Sequence, residues 1–173
     1  MEQVILVDEQ DNEIGTMEKM QAHREARLHR AISVFVYNTK GEMLLQQRAG
    51  VKYHSPLLWT NTCCSHPRPG ETNAAAAHRR LQEEMGMSCN LQETFNFVYK
   101  ADLDNDLTEY EYDHVFTGIT DALPAPDSTE VASWKYIGIQ DLLTDMANHP
   151  DRYTAWFHIC IRDYSDYDKM LLP

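Results

Sequence analysis

Hydrophobic and polar positions change period several times along this chain, and each change marks an element. Residues 2–8 (EQVILVD) form a short apolar run that predicts a strand. Residues 17–26 (MEKMQAHREA) are rich in good helix formers and predict a helix. The β-branched stretch 30–37 (RAISVFVY), the turn residues NTKGE and the stretch 43–48 (MLLQQR) predict two strands joined as a β-hairpin. Thr72 or Asn73 caps a helix running to about Met85, with Gly86 as its stop signal. Residues 94–101 and 109–116 alternate as strands do, residues 132–137 add another strand, and 139–147 and 153–164 read as helices. Strands around one central helix, with further helices at the end, predict a mixed α/β domain.

No repeat, low-complexity segment or long linker divides the 173 residues, so one domain with one sizeable core is expected. The shares of hydrophobic (43%) and charged (24%) residues fit a soluble globular chain. No apolar run approaches the roughly 20 residues of a membrane span. The opening MEQVILVDEQDNEIG has acids where a signal peptide has a basic start, which predicts a cytoplasmic protein. A net charge of -12 argues against nucleic acid and anionic membranes as partners. An anionic small molecule would then need a few focused cations or metal ions. The cysteines are Cys63, Cys64, Cys89 and Cys160, with no C-x-x-C pair, so free thiols are expected. Cys89 and Cys160 lie among apolar neighbours and read as core residues.

The stretch WTNTCCSHPRPGE (59–71) places Cys64 two residues before His66 in a proline-rich loop. The two are metal ligands, a nucleophile with its base, or two groups with separate tasks; spacing alone leaves all three open. If the loop is extended, Cys63 points opposite to Cys64 and is structural. Along 70–87, Arg79 and Glu83 are four apart, as are Arg80 and Glu84, which suits salt bridges on a helix surface. Glu71 at the helix start and the Glu83–Glu84 pair before Gly86 also suggest carboxylates for Mg²⁺. Glu109 and Glu111 share one face of an alternating strand, where like charges are costly unless solvated or bridged by a cation. His23 and His29 are six apart, too far for one helix face, and would meet only across a bend.

Glu71, Arg79, Leu81 and Glu83–Glu84–Met85–Gly86–Met87 together resemble the Nudix box. Ser65 stands where the box begins with Gly, and Arg80 stands where an acid would hold metal for hydrolysis. With MEKMQAHREARLHRA, QQRAGVKYHSP, TNTCCSHPRPGE, EYEYDHVF and TAWF in this order, the chain is similar to the type I isopentenyl-diphosphate isomerases over roughly residues 3 to 160. That resemblance implies a single Nudix-type domain, with residues 1–29 as a capping segment on a core of 30–173. It implies a divalent ion, Mn²⁺ or Mg²⁺ before Zn²⁺, on His23, His29, His66, Glu109 and Glu111. It implies a second Mg²⁺ held by Glu84 and the substrate diphosphate, with Lys19, Arg48, Lys52 and Arg80 as the cationic clamp. Trp156 would stabilise a carbocation through its ring face. Cys64 and Glu111, with Tyr99 beside the latter, would exchange the protons, Glu111 as acid and Cys64 as base, although the residues themselves do not fix that order.

The implied reaction moves a carbon–carbon double bond in an isoprenoid diphosphate, carried out by a monomer or weak homodimer. Two other readings stay in view: a Nudix pyrophosphohydrolase, and a small binding domain whose His and Glu residues hold a structural metal.

Overall fold

Strand β3 (His29–Tyr37) is the axis of the structure, a computed structural model that describes residues 2–164. The last nine residues of the expected core, 165–173, lie outside that range. Before β3 come β1 (Gln3–Val7), β2 (Glu13–Glu18) and the short helix α1 (Lys19–Arg24). After it come β4 (Met43–Arg48), β5 (Trp59–Thr60), β6 (Cys63–Ser65), α2 (Asn73–Met85), β7 (Leu91–Asp102), β8 (Thr108–Ile119) and β9 (Val131–Ile137). Helix α3 (Ile139–Asn148) and helix α4 (Ala155–Ile159), which continues into a π-helical turn (Cys160–Tyr164), close the described chain. The mixed α/β expectation holds.

β3 runs parallel to β8 over its whole length, from His29↔Glu111 to Tyr37↔Ile119. On its other side it pairs antiparallel with β6, through Ile32↔Ser65, Ser33↔Cys64 and Val34↔Cys63. Its near-continuous apolar sequence follows from burial of both faces. Ile32, Val34 and Val36 pack under α2 with Cys63, Ala76, Ala77, Leu81 and Phe116. Phe35 and Tyr37 face the opposite core, with Phe97, Val115, Trp156 and Phe157.

α2 follows its sequence signals closely. Thr72 caps it by accepting from Ala75 N, and Gly86 ends it at φ 63°. A Cβ on Gly86 would stand 2.3 Å from Ala125 O, so both conformation and space call for glycine.

The hairpin expectation for 30–48 is corrected. β3 and β4 meet at the single pair Tyr37↔Met43 and then diverge, β4 going to β9 and β5. The fork is stable because polar side chains satisfy the backbone groups it leaves unpaired. Thr62 Oγ1 accepts from Val36 N and donates to Leu44 O, both at 2.8 Å. Asn61 Nδ2 donates to Val34 O and Cys63 O. Gln46 Nε2 donates to Thr62 O.

The N-terminal helix is also shorter than expected. Met17 and Glu18 belong to β2, and Glu18 caps α1 by accepting from Met20 N and Gln21 N. Ala26, in the left-handed region at φ 48°, turns the chain from α1 into β3. In the last expected helix, Tyr153 and Thr154 precede α4 instead of forming its first turn.

Candidate active site

Three elements carry the histidines to one point. His23 lies on α1, His29 opens β3, and His66 follows β6. Their ring centroids are 4.9 Å apart for His23–His29 and His29–His66, and 5.6 Å for His23–His66. The bend expected between His23 and His29 is the turn at Ala26. Ligand atoms of His23, His29, His66 and Glu111 all fall within 4.8 Å of one another, and all four residues are buried.

The donor set fits a divalent ion. His23 Nδ1 is tied to Lys19 O (2.8 Å) and His29 Nδ1 to Arg27 O (2.7 Å), which leaves each Nε2 facing the cluster. His23 Nε2 is buried with no hydrogen-bond partner. His29 Nε2 and His66 Nε2 face each other at 3.2 Å, and His66 Nε2 lies 2.9 Å from Glu111 Oε1. Burial lowers the proton affinity of His23 and pushes His66 down to about 3, so these rings are neutral, as metal ligands must be.

Glu109 stands outside that four-residue group. Its Oε2 accepts from the Tyr99 hydroxyl at 3.0 Å, and its Oε1 lies 3.8 Å from His54 Nε2. The same Tyr99 hydroxyl lies 2.6 Å from Glu111 Oε2. Burial and the charge of Glu111 raise Glu109 well above the carboxylate range. Burial also pushes Glu111 upward, but the contacts with His29 and His66 outweigh it and hold that carboxyl well below. The two acids expected on one strand face are there, buried and bridged by one hydroxyl.

Cys64 is separated from Cys63 as the extended loop requires. Cys63 packs beneath α2, while Cys64 lies against the opposite core. Cys64 Sγ is 2.8 Å from Asn61 Oδ1, and Trp156 Nε1 donates to it at 3.1 Å. Burial, with Asp113 and Glu84 nearby, pushes its thiol upward, so Cys64 is protonated at rest. All four cysteines are free thiols. Cys160 is a buried core residue and Cys89 a partly buried one.

One cleft of about 520 Å³, solvent at its mouth included, gathers these groups. Cys64, His66, Tyr99, Glu109, Glu111 and Trp156 line it together with Lys19, Arg48, Lys52, Arg80 and Glu84. Residues from both faces of the sheet meet here because β4 leaves β3 at the fork. The cations are held by acids. Lys19 pairs with Glu2 (3.2 Å), Lys52 with Glu130, and Arg80 with Glu84 (2.6 Å) and Glu83 (2.7 Å). Arg48 donates to His54 O and lies over the Trp156 ring, 5.2 Å from its centroid. Glu84 also accepts from Gln46 Nε2 at 2.8 Å. Arg79 grips Glu71 with two hydrogen bonds of 2.7 and 2.8 Å.

The NUDIX domain family matches residues 27–157. "Isopentenyl-diphosphate Delta-isomerase 1" of Aromatoleum aromaticum is 52% identical over 160 residues, covering 92% of this chain and 90% of its own. The chain belongs to the isopentenyl-diphosphate Delta-isomerase family of NUDIX proteins. "Isopentenyl-diphosphate Delta-isomerase" of Burkholderia multivorans is 51% identical, covering 92% of this chain and 91% of its own. The fold alone is shared with a crystal structure from Deinococcus radiodurans (TM-score 0.78, 20% identity, 95% of this chain and 100% of that one). It is likewise shared with a NUDIX hydrolase from Nitrosomonas europaea (TM-score 0.60, 19% identity, 83% and 90%).

Set within that family, the sequence reading missed several side chains at the site. His54 and Tyr53 line the cleft from a loop without periodicity, and Gln46 on β4 and Glu130 just before β9 bond to its lining residues Glu84 and Lys52. Asp113 continues the alternation of Glu109 and Glu111 by one step, a signal present in EYEYD. It is buried and accepts from Ser33 Oγ at 2.7 Å; burial and the charge of Glu111 raise it to about 8.

His54 carries a testable consequence. Burial, then the charge of Arg48, pushes it down to about 3, against about 6.5 in an unfolded chain. Between these values the unfolded chain binds more protons than the folded one. Stability is therefore retained above about pH 6.5 and lost as pH falls towards about 3. In chelator-treated protein, His54→Asn is expected to flatten that loss by up to about 1.4 kcal/mol per pH unit. Urea unfolding of both proteins between about pH 6 and pH 4 measures it; parallel slopes would place the His54 proton in the folded state as well.

Proposed function

We propose that this chain converts isopentenyl diphosphate to dimethylallyl diphosphate. The observation that carries the reading is the meeting of two proton carriers, Cys64 and the Tyr99–Glu111 pair, in one cleft rimmed by Lys19, Arg48, Lys52 and Arg80. A proton added to the terminal carbon of the alkene leaves a tertiary cation. Loss of a proton from the adjacent methylene then forms the new double bond. The diphosphate is untouched and needs only to be held.

Four cations for one diphosphate suit that holding role on a chain of net charge -12. Substrate phosphate oxygens would take the place of Glu2 on Lys19 and of Glu130 on Lys52 and Arg80. Arg80 occupies the box position where hydrolases carry a metal-binding acid, which supports retention of the diphosphate over its cleavage. Residues 1–29 act as a cap on the core, because α1 brings Lys19 to the cleft and His23 to the histidine cluster.

His23, His29, His66 and Glu111, joined by Glu109, would hold Mn²⁺ or Mg²⁺, with Zn²⁺ less suited to five donors. Glu84 would hold a second Mg²⁺ with the diphosphate. When bound, these ions supply positive charge that keeps the carboxylates ionised and offsets the diphosphate.

The resting protons set up one direction of transfer. Cys64 holds its proton and Glu111 is ionised. With those protons in place, Cys64 gives the first proton and the Glu111 carboxylate, with Tyr99, takes the second, the reverse of the order given with the resemblance. Trp156 lies between these roles: Nε1 steadies the sulfur, and its ring already accepts the Arg48 cation on its face.

The test is one NMR experiment with metal-loaded protein, isopentenyl diphosphate and Mg²⁺ in D₂O. Dimethylallyl diphosphate carrying deuterium, with the diphosphate intact, is expected. Free phosphate without alkene movement would replace this reading with the hydrolase. A protein that changes neither signal, although loaded with metal, would be a binding domain.

A further inference from the structure

We propose that Asn61 is a positioning residue that fixes the sulfur of Cys64 for proton transfer; the inference rests on the isomerase reading. Asn61 is buried, at 1% exposure, and has no part in the cluster or the cationic rim. Its orientation is decided by its partners. Nδ2 lies 3.1 Å from Val34 O and 2.9 Å from Cys63 O, and carbonyl oxygens only accept. The amide nitrogen must therefore face them, which turns Oδ1 to the other side. There it receives the Thr60 hydroxyl at 2.9 Å and lies 2.8 Å from Cys64 Sγ.

A carboxamide oxygen is an acceptor only, so the thiol must supply the hydrogen in that contact. On another side the sulfur accepts from Trp156 Nε1 at 3.1 Å. Ser33 Oγ reaches the sulfur at 3.8 Å and Asp113 Oδ2 at 2.7 Å, so the sulfur is the longer of its two contacts. Asn61 is thus the acceptor for the Cys64 thiol, while the sulfur's donors, Trp156 at 3.1 Å and Ser33 at 3.8 Å, lie on other buried side chains. Rotation about Cβ–Sγ swings the proton from Asn61 into the cleft without moving the sulfur. Asn61 joins this task to its place at the fork: the same amide that satisfies two backbone carbonyls aims the oxygen that holds the thiol.

The contact has a signature that a purely structural role would not produce. The S–H stretch of a thiol donating to a carbonyl falls at lower frequency than that of a thiol without an acceptor. The infrared difference between the protein and its Cys64→Ala variant isolates the Cys64 band. It is expected below the bands of the other buried thiols, and Asn61→Ala is expected to shift it upward. Asn61→Ala should also lower kcat for isopentenyl diphosphate by about 10- to 100-fold, the scale of a misplaced reacting group, with KM kept within about twofold. Thr62→Val removes fork contacts but none to the sulfur, and should lose stability while leaving the band and kcat in place. A Cys64 band at the frequency of an unbonded thiol, or no such band, in the unmutated protein would overturn the proposal even if Asn61→Ala does not fold. Folded Asn61→Ala with unchanged kcat would overturn it too. If the unmutated protein does not isomerise the substrate, the functional reading fails instead, and the band still reports whether Asn61 holds the thiol.

Discussion

Cys64→Ala is expected to lower turnover of isopentenyl diphosphate by about 10³-fold or more, within the range that a positioned acid or base contributes. Glu111→Gln is expected to do the same. Both should still bind the substrate, because the cations that hold the diphosphate are separate side chains. The two variants differ in what remains. If Cys64 gives the first proton, Glu111→Gln keeps that step and lacks only the second. The tertiary cation would then return a proton to the sulfur, and in D₂O deuterium would enter the terminal carbon of unreacted isopentenyl diphosphate. Cys64→Ala, lacking the first step, should show no exchange. The reverse pattern, exchange in Cys64→Ala and none in Glu111→Gln, would restore Glu111 as the acid. Near-normal turnover in purified Cys64→Ala would remove the sulfur from the chemistry altogether.

That experiment turns on a detail outside the reach of sequence: where the resting protons lie. Cys64 and Glu111 were legible as candidates because their neighbours resemble a family. Their protonation depends on burial beside Asp113 and Glu84 for Cys64 and on His29 and His66 for Glu111, neighbours that meet them only in the fold. The facing of Glu109 and Glu111 was legible, since alternation in EYEYD fixes it, and Asp113 could have been read by the same rule. The helix from Thr72 to Gly86 was legible because cap, periodic face and stop are all local. The hairpin at 30–48 was misread because its local signals are real, and Tyr37 does meet Met43. Beyond that pair, β3 gains more by pairing with β8 and β6, and no short-range pattern records those partners. His54 was missed for a related reason. Its loop turns through left-handed Ser55 and Leu57, residues that advertise no such conformation.

Metal should be the largest single lever on stability. His23 Nε2 is buried without a hydrogen-bond partner, and two imidazole nitrogens face each other at 3.2 Å. An ion that binds only the folded chain, at 100 times its dissociation constant, adds about 2.7 kcal/mol. For a chain of this size that corresponds to a rise in Tm of about 5–11 °C. Calorimetry with Mn²⁺, Mg²⁺ and Zn²⁺ added to chelator-treated protein measures it and ranks the ions. His29→Gln should abolish the rise, because its Nε2 is the atom set against both His66 and Glu111. Glu84→Gln should leave it in place, because Glu84 is engaged with Arg80 and Gln46 and lies outside the cluster. The pair of variants separates the two metal roles without an activity assay. A Tm that no divalent ion moves would make the cluster a hydrogen-bond network of imidazoles around one carboxylate. In that case the only ion left to the reaction would be the one that travels with the diphosphate.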